Sequence, residues 1–469
     1  MWLWSIIVTP LLGSIWIGLK KRENWNNEIS LGILIINMII IITIWLKWNT
    51  GIIGYQIIEK GWKIMLGLDG ISLIFIILTN IIMCISILAS WRTINTRIYN
   101  ILMLILTSIL IGVFLTIDLI PFYICFESSL IPMFLLIGIY GSNEKKRIYA
   151  AYSIMLITLM GSLAMLVGIL GIISGMGGNE YIIATEMSIS RQKIIWLAFF
   201  IALAIKTPII PLHFWLPEAH TEANISGSII LAGILLKLAT YGFIRFSIGL
   251  LPIASYYFTP LIYSISICSI IYSSLSTLRQ IDLKKIIAYT SIGHMSIINI
   301  GLFSNNYTGI EGAILLSVAH GIVSPALFIL VTALYERYHT RIIRYYRGMV
   351  IRMPIYSIFF FLFTLANMAT PLTGNFNGEL LIFSGSFLFN PISVILAALG
   401  IILSAAYSIW LFNRICFGSP SYFCEASLDL TRFEFLLLLP CLFLVLLLGI
   451  YPNIILEYIH LSHFGMAFI

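Results

Sequence analysis

Apolar runs about as long as a membrane is thick recur from one end of this chain to the other, separated by short polar breaks. A helical run of roughly 18 residues or more, rising about 1.5 Å per residue, crosses a hydrocarbon core of about 30 Å. Fourteen such runs are read: Trp2–Leu19, Ile29–Leu46, Ile71–Trp91, Ile98–Ile117, Leu119–Tyr140, Ile148–Ile173, Ile194–Trp215, Ile225–Phe246, Tyr256–Leu278, Ile286–Phe303, Ile310–Leu334, Ile355–Phe387, Ile392–Phe412 and Phe435–Ile455. The short alternating segments of a membrane β-barrel are missing, and only helices or closed barrels satisfy every backbone group in hydrocarbon. The pattern therefore predicts an all-α membrane protein of about fourteen transmembrane helices in a single multi-pass domain over residues 1–469. The longest polar loops, 47–70, 174–193 and 414–434, are too short to fold alone.

Two runs are interrupted in the same manner. The seventh carries Lys206-Thr207-Pro208-Ile209-Ile210-Pro211 and the twelfth Thr370-Pro371-Leu372-Thr373-Gly374-Asn375, so each loses helical hydrogen bonds or loosens a turn midway. Broken helices at matching places in two halves mark inverted-repeat transporters, whose unwound backbone lines a polar cavity near the midplane. The breaks lie five spans apart, and an odd number of spans inverts the second unit automatically. We therefore expect two inverted-topology five-helix repeats, helices 4–8 over residues 98–246 and helices 9–13 over residues 256–412, with helices 7 and 12 broken.

Composition agrees with a membrane chain: 60% of the 469 residues are hydrophobic and only 10% charged, too few polar groups to cover a soluble globule of this size. Eighteen loop Lys and Arg residues follow odd-numbered helices, whereas only Lys47, Lys60, Lys63, Arg191 and Lys193 fall on the other face. This bias places the basic loops inside and both termini outside. The net charge of +7 is thus a topology signal, and its dispersal over short loops speaks against a nucleic-acid partner. Cys84, Cys125, Cys268, Cys416, Cys424 and Cys441 show neither CxxC nor CxxH spacing, so no zinc or iron–sulfur site is signalled. The start lacks a basic leader and a cleavage site, and the first helix is expected to be retained. The abundance of isoleucine fits an AT-rich genome of the organellar kind.

Against this background seven ionisable side chains stand inside apolar runs: Glu127, Lys206, His213, Lys237, His294, His320 and Glu379. A charge at the bilayer centre costs about 2.5–3.5 kcal/mol on insertion scales, so such groups face protein or a wet path and mark ion or proton routes. Lys206 adjoins the first break, too deep in its run for snorkelling to be the simple account, and His213 follows two turns later. Glu127, midway along the fifth run, is its candidate partner: at about 7 Å and an effective dielectric near 20 the attraction is roughly 2.4 kcal/mol. Moving that partner away would free the lysine's proton; the alternative is a static structural pair. Lys237 has no carboxylate at i±3 or i±4, which favours a water-linked relay over a local ion pair. Taken singly, His213, His294 and His320 read equally well as helix–helix hydrogen-bond donors. Glu379 follows the second break as Lys206 adjoins the first, with capping of the second half-helix as its alternative role. Arg245 and Asp118 lie near helix ends, where anchoring suffices, and Glu218, Glu222 and Asp282 read as loop or surface residues. No nucleophile–base pair, phosphate loop, dinucleotide fingerprint or haem-ligand spacing accompanies the set. Proton transfer is the chemistry it suits, with no cofactor or metal expected on this chain.

At these residues the sequence resembles a known family over nearly its whole length. Lys206-Thr207-Pro208, the stretch from Pro211 through His213-Phe214-Trp215-Leu216-Pro217-Glu218-Ala219-His220 to Ala223, then Gly227 and Leu235-Leu236-Lys237-Leu238, are similar to the signature of antiporter-like subunits of respiratory complex I. Thr290-Ser291-Ile292-Gly293-His294-Met295 and Ala319-His320-Gly321 resemble further motifs of that family. A glutamate at Glu379, with Thr373-Gly374-Asn375-Phe376 and Asp429-Leu430-Thr431-Arg432, is similar to one branch; the branches called chains 2 and 5 typically carry lysine there. Asn224 departs from the proline the family often has after the Glu-Ala pair, which puts only local loop geometry in question.

The resemblance implies a subunit of the proton-pumping membrane arm of NADH:ubiquinone oxidoreductase, in the mitochondrial inner membrane with basic loops facing the matrix. Glu127 and Lys206 would be an ion pair, Lys237, His294 and His320 a central relay with His213 beside it, and Glu379 the exit-side group. FMN, iron–sulfur clusters and ubiquinone would belong to other subunits. Partners would be the lipid bilayer and the other membrane-arm subunits, chains 2 and 5 among them. Two other readings stay open: a subunit of a multi-chain cation/proton antiporter, and a membrane scaffold without transport.

Overall fold

The computed structural model describes residues 2–20, 25–52, 54–61, 64–91, 96–142, 144–176, 187–424 and 428–467. In chain order these form α1 (Trp2–Leu19), α2 (Asn26–Leu46), a hairpin of β1 (Ile57–Gly61) and β2 (Ile64–Leu68), α3 (Gly70–Ala89), α4 (Thr96–Leu115), α5 (Leu119–Ser128), α6 (Leu130–Tyr140), α7 (Glu144–Met176), α8 (Ile189–Lys206), α9 (Trp215–Glu222), α10 (Ile225–Ile230), α11 (Leu236–Gly242), α12 (Pro252–Arg279), α13 (Leu283–Leu302), α14 (Tyr307–Tyr338), the short α15 (Met349–Arg352), α16 (Pro354–Asn367), α17 (Gly374–Phe389), α18 (Pro391–Cys416), α19 (Arg432–Ile450) and α20 (Asn453–Ala467). Eleven helical spans among the described residues are long and apolar enough to cross a membrane. Of the remaining expected runs, the tenth is α13, the seventh is α8 up to Lys206 followed by non-helical backbone that leads into α9, and the twelfth is divided into α16 and α17.

Both divisions follow from backbone chemistry. Pro208 and Pro211 offer no N–H to a helix, and Trp215 Nε1 ties the two halves by donating to Ile205 O at 3.0 Å. In the twelfth run Ala369 and Leu372 adopt positive φ, and Asn375 Nδ2 reaches back to Ala366 O at 2.9 Å. Other interruptions were not foreseen. The ladder of the fifth run is interrupted at Ser129, between α5 and α6, where Pro132 cannot donate to the Ser128 carbonyl, although Ser129 keeps helical dihedrals. The eighth run contains π-helical turns, Leu231–Leu235 and Phe243–Ile248, on either side of α11. The helix of the last run ends at Ile450 before Pro452, and α20 follows from Asn453.

One short element among the helices is a β-hairpin. Its strands pair antiparallel from Ile57↔Leu68 to Gly61↔Ile64, and Asp118 fixes it by accepting from Met65 N at 2.9 Å. Loops after odd-numbered runs meet at one end of the bundle: Ser142 N donates to Glu222 O at 3.0 Å, Leu283 N to Arg341 O at 3.0 Å, and Lys284 Nζ to Ala223 O at 2.8 Å. This is the end that collects the basic residues. Lys21, Arg22, Lys63 and Arg92, used in the sidedness reading, lie outside the described residues.

Helix α14 is enclosed by its neighbours, and glycines set how closely α17 approaches it. A Cβ on Gly378 would stand 2.7 Å from Leu316 Cβ, and one on Gly312 would stand 2.7 Å from Ile382 N. Small residues let membrane helices pack backbone to backbone. That contact carries Glu379 toward the bundle centre.

Candidate functional site

Glu379, buried on α17, faces α13, where His294 Nδ1 lies 3.3 Å from its Oε1. The two are close but not aligned as a hydrogen bond, and neither ring nitrogen of His294 has a hydrogen-bond partner. The His294 ring stands 5.3 Å from that of His320 on α14, centroid to centroid. His320 Nδ1 lies 3.0 Å from Lys237 Nζ on α11, and its Nε2 lies 3.2 Å from Ser291 Oγ, which is 3.2 Å from Ser324 Oγ. Four elements thus each supply one ionisable group to a continuous buried line, Lys237–His320–His294–Glu379.

The contacts constrain the protons. A charged Lys237 has only donors, so His320 Nδ1 accepts from it and the neutral imidazole carries its hydrogen on Nε2, toward Ser291. Lys237 Nζ also donates to Ala232 O, inside the first π-helical turn, where the ordinary i→i+4 ladder is loosened. Its partners are therefore a carbonyl of its own span and an imidazole 83 residues away.

The other expected pair is arranged differently. Lys206 Nζ donates to Phe126 O at 2.8 Å and lies 3.2 Å above the Phe126 ring. Glu127 attracts it through space, yet the two side chains do not meet as a contact ion pair, and Glu127 Oε2 is buried without a hydrogen bond. The same Phe126 carbonyl also accepts from Ser129 Oγ at 2.8 Å, so it serves two side-chain donors near the end of α5. His213 falls outside the central line. Its ring packs 4.4 Å from Phe214, 5.6 Å from Tyr272 and 6.1 Å from Tyr289.

Several charges read as peripheral are buried instead. Arg245 pairs with Asp69, whose other oxygen accepts from Ser72 N at 2.9 Å and caps α3; the Asp-x-x-Ser spacing before an apolar run was the available signal. Glu222 is buried and accepts from Ser142 Oγ at 2.9 Å. His220, not singled out by the sequence, is fully buried, stacks on Phe328 with ring centroids 4.6 Å apart, and has no hydrogen-bond partner on either nitrogen. Asn224, the departure from the family pattern, caps α10 by accepting from Gly227 N at 2.9 Å. Among the described residues no group of His, Cys, Asp and Glu is arranged to hold a metal ion.

Residues 116–404 match the family model described as NADH:quinone oxidoreductase/Mrp antiporter membrane subunits. The chain belongs to this family. Among its members, NADH-ubiquinone oxidoreductase chain 4 of Mycosarcoma maydis is 47% identical, with 99% of each chain aligned. The protein of the same name in Marchantia polymorpha is 47% identical, over 98% of this chain and 95% of its own length. A chain of Thermus thermophilus respiratory complex I, solved with bound NADH, superposes with a TM-score of 0.88 at 27% identity, covering 100% of this chain and 99% of that one. A chain of the Mrp complex from Dietzia shares the antiporter-family fold, with a TM-score of 0.89 at 18% identity over 99% of this chain and 96% of that one.

Proposed function

We propose that this chain is an antiporter-like, proton-translocating subunit in the membrane arm of a mitochondrial NADH:ubiquinone oxidoreductase, the complex its chain 4 relatives are named for. The observation that carries this reading is the buried line Lys237–His320–His294–Glu379. In the proposed step Lys237 gives its proton to His320 Nδ1 as His320 Nε2 gives one to Ser291 Oγ, whose own hydroxyl proton passes to one nitrogen of His294, and His294 gives a proton from its other nitrogen to Glu379. Lys206, held by the Phe126 carbonyl and attracted by Glu127, sets the charge felt at the head of the line.

Moving one charge against 100 mV requires about 2.3 kcal/mol, so the relay must be driven from elsewhere. NADH oxidation and quinone reduction would supply that work in other subunits, which would hold the FMN, the iron–sulfur clusters and the ubiquinone. We take the chain to cross the inner membrane fourteen times as two inverted five-helix repeats, with basic loops toward the matrix and chains 2 and 5 among its neighbours. The meeting of the odd-numbered loops at one end of the bundle supports that topology.

The test uses the intact complex in proteoliposomes carrying Glu379→Gln or Lys237→Met. Assembled complex with NADH-driven proton pumping lost is the expected result. Full assembly with unchanged pumping would instead point to a scaffold, and proton movement driven by a sodium gradient without NADH would point to a free-standing antiporter.

A further inference from the structure

The outer faces of α16 and α18 enclose a groove of about 570 Å³. On α16 its wall is Ile358, Phe361 and Leu365, which share one helical face at spacings of three and four; on α18 it is Ile409 and Phe412. Ile358, Phe361 and Ile409 are exposed, so no other described element of this chain covers them.

Two contacts bound the groove. Ser408 Oγ lies 3.4 Å from Met368 Sδ and closes it at the break of the twelfth run. At the other end Gly348 N donates to Phe417 O at 3.2 Å, and Val350, Asn413 and Phe417 frame a mouth at the basic end of the bundle. Ser357 and Met368, both in the wall, are about 16 Å apart at 1.5 Å per residue, close to half of a hydrocarbon core of about 30 Å. The groove is one leaflet deep.

Width and charge select the occupant. About 570 Å³ over about 16 Å leaves a mean cross-section of about 35 Å², under half of the roughly 80 Å² filled by a helix about 10 Å wide. A helix of another subunit is too thick, whereas an acyl chain fits. The mouth is positively charged: Arg344 and Arg347 are exposed just before α15, and half-buried Arg414 follows Asn413. Residues 338–378 and 380–424 include no Asp or Glu. Asp429 reaches this end from another element, where its oxygens accept from Ile355 N and Tyr356 N at 2.7 and 3.1 Å. Basic pockets between membrane helices on the inner side suit anionic lipid headgroups.

We infer that this groove is a binding site for an anionic phospholipid of the leaflet at the basic end, one acyl chain lying between α16 and α18 and the phosphate resting at Arg347 and Arg414. The site requires that the chain span a membrane and is independent of the proton relay.

Photo-crosslinking to the intact complex tests this. The complex is reconstituted into phosphatidylcholine vesicles containing a small fraction of phosphatidylglycerol or phosphatidylcholine that carries a photoactivatable group midway along one acyl chain. The phosphatidylglycerol probe labels residues 358–365 and 409–413 more strongly than the phosphatidylcholine probe. An arginine near the surface contributes about fivefold to anionic-lipid binding, so Arg347→Gln combined with Arg414→Gln lowers that labelling roughly 25-fold. Ile409→Trp, which fills the groove, abolishes it. Native gels report whether each variant assembles, and the comparison of the two probes on wild type needs no variant. Equal labelling by the two probes overturns the inference, as does undiminished labelling of the assembled double variant or a map of the complex with a neighbouring subunit's helix in the groove.

Discussion

Replacing Gly378 by alanine tests whether the close contact of α14 and α17 is what places Glu379. The new Cβ would stand 2.7 Å from Leu316 Cβ and 2.8 Å from its Cα and N. Carbon atoms settle at about 3.5–4.0 Å, and backbone cannot rotate away, so the helices must part by about 1 Å. Overpacking of this kind costs about 1–3 kcal/mol, offset in part by about 1 kcal/mol of helix propensity gained over glycine. The fold therefore survives, but Glu379 is the next residue and moves with α17. Most of that ångström is added to the 3.3 Å between its Oε1 and His294 Nδ1, and misplacement by about 1 Å can slow a positioned reaction by about 10²-fold. Native gels and NADH-driven pumping in proteoliposomes read the two effects separately. Assembly is retained and pumping is largely lost, whereas Gly32→Ala, with nothing within 4 Å of the added Cβ, leaves both unchanged. Equal pumping by the two variants would refute the idea that helix approach sets the relay.

Other consequences can be checked in the same preparation. Asp69→Asn keeps a capping side chain on α3 but strips the carboxylate from buried Arg245; stranding a buried charge costs about 3–5 kcal/mol, seen as less assembled complex and a lower melting temperature. Asn224→Ala removes the α10 cap and lowers thermal stability by about 0.5–2 kcal/mol, with the pumping ratio of surviving complex unchanged. Arg337→Gln deletes the paired bonds to Glu434 at 2.8 and 2.7 Å and those to the Leu428 and Asp429 carbonyls. Bonds to charged groups contribute about 1.5–3 kcal/mol each, so limited proteolysis cuts near Leu428 sooner than in wild type; an unchanged cleavage rate would show that other contacts hold this segment.

What could be read along the chain was whatever depends on neighbours in sequence. Run length and hydropathy determine that a segment is a membrane helix, because hydrocarbon leaves the backbone no other partner. Pro208, Pro211 and Gly374 act on their own helices, so both breaks were legible, and Asp69 and Asn224 carried cap signals within three residues of the N–H groups that donate to them. The seven ionisable residues stood out for the same reason, as local exceptions to apolar runs.

Which of them meet was decided only by packing. A hydrogen bond reaches about 3 Å, and whether Lys237 finds His320, or Glu379 finds His294, depends on how each helix is rotated about its axis and how near its neighbour comes. Apolar faces in a membrane are nearly interchangeable, so pattern leaves that rotation open. Backbone approach at Gly312 and Gly378 and the π-helical turns around α11 close it. They bring Lys237, His320, His294 and Glu379 into one line, place Lys206 on a backbone carbonyl, and turn His213 aside among aromatic rings.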